Sequence, residues 1–104
     1  MTTGGDDGQS VGRPDSVQVR YGGRTYERDL ARCRRVLLER QMRGASGNMR
    51  EFAESAGLSL AMVSAWFRGA KLGTRATTER ILAGLDLDFE HVHRPVAAAR
   101  EEGA

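Results

Sequence analysis

Two sets of residues in this chain have side chains that could do chemistry, and they differ greatly in density. The sparse set holds the nucleophiles and metal ligands: one cysteine, Cys33, and two histidines, His91 and His93. Cys33 lies among Arg32, Arg34 and Arg35, none of which ligates a metal, and a single thiol forms no intrachain disulfide. It reads as a small apolar helix residue. His91 and His93 make an HxH pair without the second pair of ligands a tetrahedral site needs, so both are expected to be solvent-exposed. Catalysis requires a nucleophile, a base and an orienting group that converge, and these residues fall on separate predicted helices. Gly22-Gly23 and the GASG run at 44–47 lack the Lys-Ser/Thr that follows a phosphate-cradling loop. No enzyme activity, metal or cofactor is therefore expected.

The dense set is basic. Fifteen of the sixteen Lys and Arg residues are arginine, and ten of them lie between Arg13 and Arg50, facing only Asp15, Glu27, Asp29 and Glu39. The net charge of +2 is mild, so it is this asymmetry that favours a polyanionic partner.

The elements that must position these groups fit one core, since 104 residues at 39% hydrophobic content do not supply two. No run approaches the roughly 18 apolar residues of a membrane span, and MTTGGDDGQS lacks the basic-then-apolar order of a signal peptide, so a cytoplasmic protein without membrane contact is expected. Residues 1–16 carry too few apolar groups to order and read as a disordered arm. Val17, Val19 and Tyr21 alternate before Gly22-Gly23, which is compatible with a short strand or hairpin over 17–25. Thr25 can cap a first helix through Leu30, Cys33, Val36 and Leu37, ending near Gly44. Asn48 and Glu51 have capping-box spacing ahead of a second helix with Met49, Phe52, Ala53 and Ala56, which stops at Gly57. Ser59 caps a third helix with Met62, Val63 and Trp66 as its apolar stripe, Thr74 a fourth with Ile81, Leu82 and Leu85, and Asp88 a short fifth through Phe89 and Val92. The expectation is an all-α, compact five-helix domain over 26–93, followed by a frayed tail over 94–104.

Within 49–68 the spacing meets the steric demands of a helix-turn-helix. A small residue, Ala53, stands where two helices touch; Gly57 follows four positions later at the turn; Leu58, Val63 and Trp66 are apolar at the packing positions. MREFAESAGLSLAMVSAWFRG resembles the helix-turn-helix of the phage lambda repressor and Cro-like family, with a weaker similarity to the lactose-repressor family. The resemblance covers roughly residues 29–93, since ERILAGLDLDFEHV resembles that family's fourth and fifth helices. Asp86 departs from it, standing where glycine is more usual.

The resemblance implies that the third helix, 59–68, enters the DNA major groove. With Val63 and Trp66 turned inward, Ser59, Leu60, Ala61, Ser64, Ala65 and Arg68 match the family's base-facing positions, and Arg50, Lys71 and Arg75 would reach phosphates from the edges. A basic arm with Arg13, Arg20 and Arg24 is a further candidate for a minor-groove contact. Leu60, Ala61 and Ala65 neither donate nor accept hydrogen bonds, which leaves two readings open. In one, these residues touch thymine methyls while Ser64 and Arg68 supply polar recognition, in a transcriptional regulator or repressor that acts as a homodimer on double-stranded DNA. In the other, the apolar face docks a protein partner, as an antitoxin or adaptor does.

Overall fold

The computed structural model describes residues 14–45, 47–70 and 74–96. Among the described residues there are five helices, and each begins at a residue able to take up an orphan backbone N–H. In α1 (Leu30–Met42) the Asp29 carboxylate accepts from Arg32 N–H at 2.9 Å. Ahead of α2 (Met49–Ala56), Asn48 Oδ1 accepts from Glu51 N–H at 2.8 Å while Glu51 Oε1 accepts from Asn48 N–H at 3.0 Å, a reciprocal capping box. Ser59 Oγ accepts from Met62 N–H at 3.1 Å to open α3 (Leu60–Phe67), and Thr74 Oγ1 accepts from Thr77 N–H at 3.2 Å to open α4 (Arg75–Leu85). The short α5 (Phe89–Val92) starts where Asp88 N–H donates to His91 Nδ1 at 2.9 Å.

The expectation of an all-α domain is corrected by a three-stranded antiparallel sheet, in the order β1 (Ser16–Tyr21), β2 (Arg24–Asp29), β3 (His93–Pro95). The fold is mixed. The helix that Thr25 was expected to cap begins instead at Leu30, and residues 26–29, assigned above to the helical domain, are strand. Arg94 and Pro95, assigned to a frayed tail, pair with Glu27 and Tyr26. The physical reason is cooperative. An isolated hairpin is marginal, but a third strand from the far end of the chain converts it into a sheet with a face to bury. Gly22 and Gly23 take φ of 60° and 78°, the two positive values of a type I′ turn, and this sets the register Tyr21↔Arg24, Val19↔Tyr26, Val17↔Arg28. Val17, Val19, Tyr21, Tyr26, Arg28 and His93 thereby share one face, turned toward the helices.

That face closes over a core of Leu30, Cys33 and Leu37 from α1, Phe52 and Ala53 from α2, Val63, Trp66 and Phe67 from α3, and Ile81, Leu82 and Leu85 from α4. Cys33 is fully buried, and burial pushes its thiol up to about 12, so it packs as an apolar group. Phe67 belongs to the core, whereas Met62, expected in the apolar stripe, is only half-buried. Gly84 lets α4 approach α2 closely, because a Cβ there would stand 2.8 Å from the Phe52 ring.

Candidate nucleic-acid interface

The α2–turn–α3 corner is built by steric necessity. Ala53 is 1% exposed at the contact between the two helices, and Gly57 at φ 75° turns the chain through the left-handed region, where a side chain is strained. Leu58 N–H then closes the end of α2 on the Ala53 carbonyl at 3.0 Å. Val63 and Trp66 are both fully buried, which fixes the rotation of α3 about its axis. Ser59, Ala61 and Arg68 are exposed as a result, while Leu60, Ser64 and Ala65 are half-buried along the helix flanks. Arg68 Nη1 donates to Ser64 Oγ at 2.6 Å, so the two polar groups of this face are already oriented toward each other.

The edge residues occupy different places. Arg50 is exposed in the first turn of α2 and has no side-chain partner among the described residues. Arg75 is held by Glu79 at 3.0 Å and lies over the Phe89 ring at 3.9 Å. Lys71 and Arg13 lie outside the described residues. Arg20 and Arg24 belong to the hairpin, which corrects their reading as part of an arm. Arg20 donates to Thr25 Oγ1 at 3.0 Å and to the Gly23 carbonyl at 3.2 Å.

Two further arginines approach α3 that its own spacing did not point to. Arg34 and Arg35 on α1 border the same open depression of about 580 Å³ as Ser64 and Arg68, above an apolar floor that includes Leu38 and Phe67. Arg34 Nε also donates to the Phe67 carbonyl at 3.0 Å, tying α1 to the end of α3. Both lie in α1's basic run; helical periodicity places Arg35 on its outer side and Arg34 on the flank beside Leu30 and Leu37, where it is half-buried, so the signal was present but had no partner to give it direction.

Behind α3 lies a buried polar network without a sequence signature. Arg28 is 1% exposed. Its Nη2 donates to Tyr21 Oη at 2.6 Å and to Thr78 Oγ1 at 3.2 Å, and its Nε donates to His93 Nε2 at 3.1 Å. Its guanidinium carbon sits 4.3 Å from the Trp66 ring centroid. Thr78 Oγ1 also accepts from Trp66 Nε1 at 3.0 Å and lies 2.8 Å from Tyr21 Oη. One hydroxyl thus joins the hairpin, α3 and α4. Arg28 Nη1 is buried without a hydrogen-bond partner among the described residues, and burial lowers the arginine's affinity for its proton.

His93, expected to be exposed, is buried at 5% exposure because it faces inward on β3 and stacks on Phe89, 3.9 Å between centroids and 4° between planes. Since Nε2 accepts from Arg28, Nδ1 carries the proton and donates to the Phe89 carbonyl at 3.1 Å. Burial pushes His93 down to about 4; the nearby charges of Arg28 and Arg75 act in the same direction and the Phe89 carbonyl against it. His91 is exposed, and among the described residues no group of three or more His, Cys, Asp or Glu could hold a metal ion. Nor is any helix among them long and apolar enough to cross a membrane. Comparison with protein-family models, curated proteins and solved structures gave no match.

Proposed function

We propose that this chain is a sequence-specific DNA-binding transcriptional regulator of the lambda repressor/Cro type, acting in the cytoplasm, on the nucleoid, as a homodimer. It inserts α3 into the major groove. The observation that carries this reading is the rotation of α3: with Val63 and Trp66 fully buried, Ser59, Ala61 and Arg68 must stand outward. Ser64 and Arg68 supply the polar contacts to base edges, and Leu60, Ala61 and Ala65 offer apolar contact to thymine methyls. Arg50, Lys71 and Arg75 add phosphate contacts that carry affinity but no sequence information. One module with two polar readers binds weakly, so two copies on a two-fold site, each reading one half, give useful affinity.

A second reading has its own support. Leu38 and Met42 on α1 are 55% and 77% exposed, apolar surface suited to a protein partner. Selection of bound duplexes from a randomised pool, at low and at physiological salt, separates the two. Enrichment of a two-fold symmetric motif with steep salt dependence is expected, while absence of binding transfers the weight to protein docking. Arg68→Glu is expected to abolish binding at an unchanged melting temperature, and undiminished affinity in that variant would overturn the groove geometry.

A further inference from the structure

Arg20, Tyr21 and Gly22 at the hairpin turn line one shallow depression, of about 440 Å³, together with Thr74 and Arg75 at the start of α4. We infer that the turn, with Arg20 and Arg24, and Arg75 beside it form a second DNA-contact surface that grips the sugar-phosphate backbone flanking the segment read by α3. The inference rests on the DNA-binding reading of α3 and extends it to a part of the fold outside the helix-turn-helix.

Charge is the first argument. Arg20, Arg24 and Arg75 are all exposed, and no acidic residue lines the depression; the nearest carboxylate in contact is Glu79, which engages Arg75 at 3.0 Å from within α4. Arg24 has no side-chain partner among the described residues, so its charge is free to be neutralised from outside. Open, shallow and rimmed by separate cations, the depression suits a polyanion lying across it better than a small ion enclosed within it.

Access is the second. Nothing lies within 4 Å of the positions a Cβ would occupy on Gly22 and Gly23, so a sugar or phosphate can meet the turn's backbone directly. The third is rigid placement. Tyr21, the last residue before the turn, bonds through its hydroxyl to Thr78 at 2.8 Å, and Thr78 accepts the Trp66 indole N–H at 3.0 Å. Arg28 donates to Tyr21 and Thr78 alike and covers the Trp66 ring, so the turn is registered to the inner side of α3 by buried bonds. Trp66 lies in the last turn of α3, so these bonds join the turn to the C-terminal half of that helix.

The test uses the full chain and a fluorescent duplex of roughly three helical turns carrying the motif enriched by the wild type. Arg24→Ala is the first variant, because it breaks no side-chain hydrogen bond or ion pair among the described residues, and its circular dichroism and melting temperature are expected to match the wild type. Affinity is expected to fall about three- to tenfold, and the slope of log K against log salt to become shallower by about 1, with the preferred motif unchanged. Adding Arg20→Ala should repeat both changes, and Arg24→Lys should restore most of the affinity. Unchanged affinity and slope in Arg24→Ala, alongside lost binding in Arg68→Glu, would overturn the hairpin contact and leave α3 as the only DNA surface; this is also the outcome if a small anion or an acidic protein occupies the depression. An altered base preference would overturn the backbone assignment. A wild type that binds no duplex would overturn the reading of α3 and this inference with it.

Discussion

The α2–turn–α3 corner and the sheet that braces it are held by different kinds of information. In the corner every determinant acts within a few residues: Asn48 caps through Glu51, Ser59 through Met62, and Gly57 ends α2 through a left-handed residue that closes on Ala53. In the sheet the determinants are remote. Arg28 meets His93 across 65 residues and Tyr21 meets Thr78 across 57. A helical corner can therefore be specified by local caps and periodicity, whereas this sheet exists only once both ends of the chain have met. Thr78 stands at the joint between the two regimes, since its one hydroxyl serves Trp66 on the local side and Tyr21 and Arg28 on the remote side.

That contrast can be broken at several points. The largest effect is expected from Gly57→Val, which forces a β-branched residue into φ 75° and should cost about 3 kcal/mol, read as a lower denaturation midpoint together with loss of α3 docking. Thr78→Val strikes the joint. It strips a buried acceptor from both Trp66 and Arg28 and should cost about 2 kcal/mol, with faster amide exchange in β1 and β2 than in α2. Equal acceleration in both regions would show that the sheet and the corner unfold as one unit.

Acid should act on the remote regime by itself. His93 has a folded-state value of about 4, below its ordinary 6.5, so the unfolded chain binds the proton more readily. Stability is full above about pH 6.5 and is lost as pH falls toward 4, by on the order of 2 kcal/mol, because the charged ring is costly to bury and is repelled by Arg28 and Arg75. A flat stability profile across that window would place His93 in solvent. The smallest effect is at Asp86, the one non-glycine residue with positive φ among the described residues, at 62°. Asp86→Gly should relieve strain and raise stability by up to about 1 kcal/mol in a thermal melt.

These same differences explain what could be read from the chain alone. The caps at Asn48, Ser59, Thr74 and Asp88 are written in residue type and spacing, and so is the burial of Val63 and Trp66. Thr25 misled because a threonine before Glu27 and Asp29 looks like a helix start, while the residue that caps α1 is Asp29. β2 was hidden because its most buried residue is an arginine, the reverse of the inside-apolar rule, sheltered by Trp66, Tyr21 and Thr78 instead of a carboxylate. Asp86 ends α4 in the left-handed conformation, which its residue type alone does not announce. Of the expected interface, Ser59, Ala61 and Arg68 are exposed together and Ser64 is bonded to Arg68, but the proximity of Arg34 and Arg35 depends on how α1 crosses α3, which no local pattern encodes.

The most direct test of the central claim, that the outward face of α3 meets DNA, is an amide-resolved NMR titration of the full chain with its enriched duplex. The largest shifts are expected at Ser59, Ala61, Ser64, Ala65 and Arg68 and should fade as salt rises, while Met42 stays unperturbed. Shifts centred on Met42, with α3 silent, would show that DNA does not meet the outward face of α3.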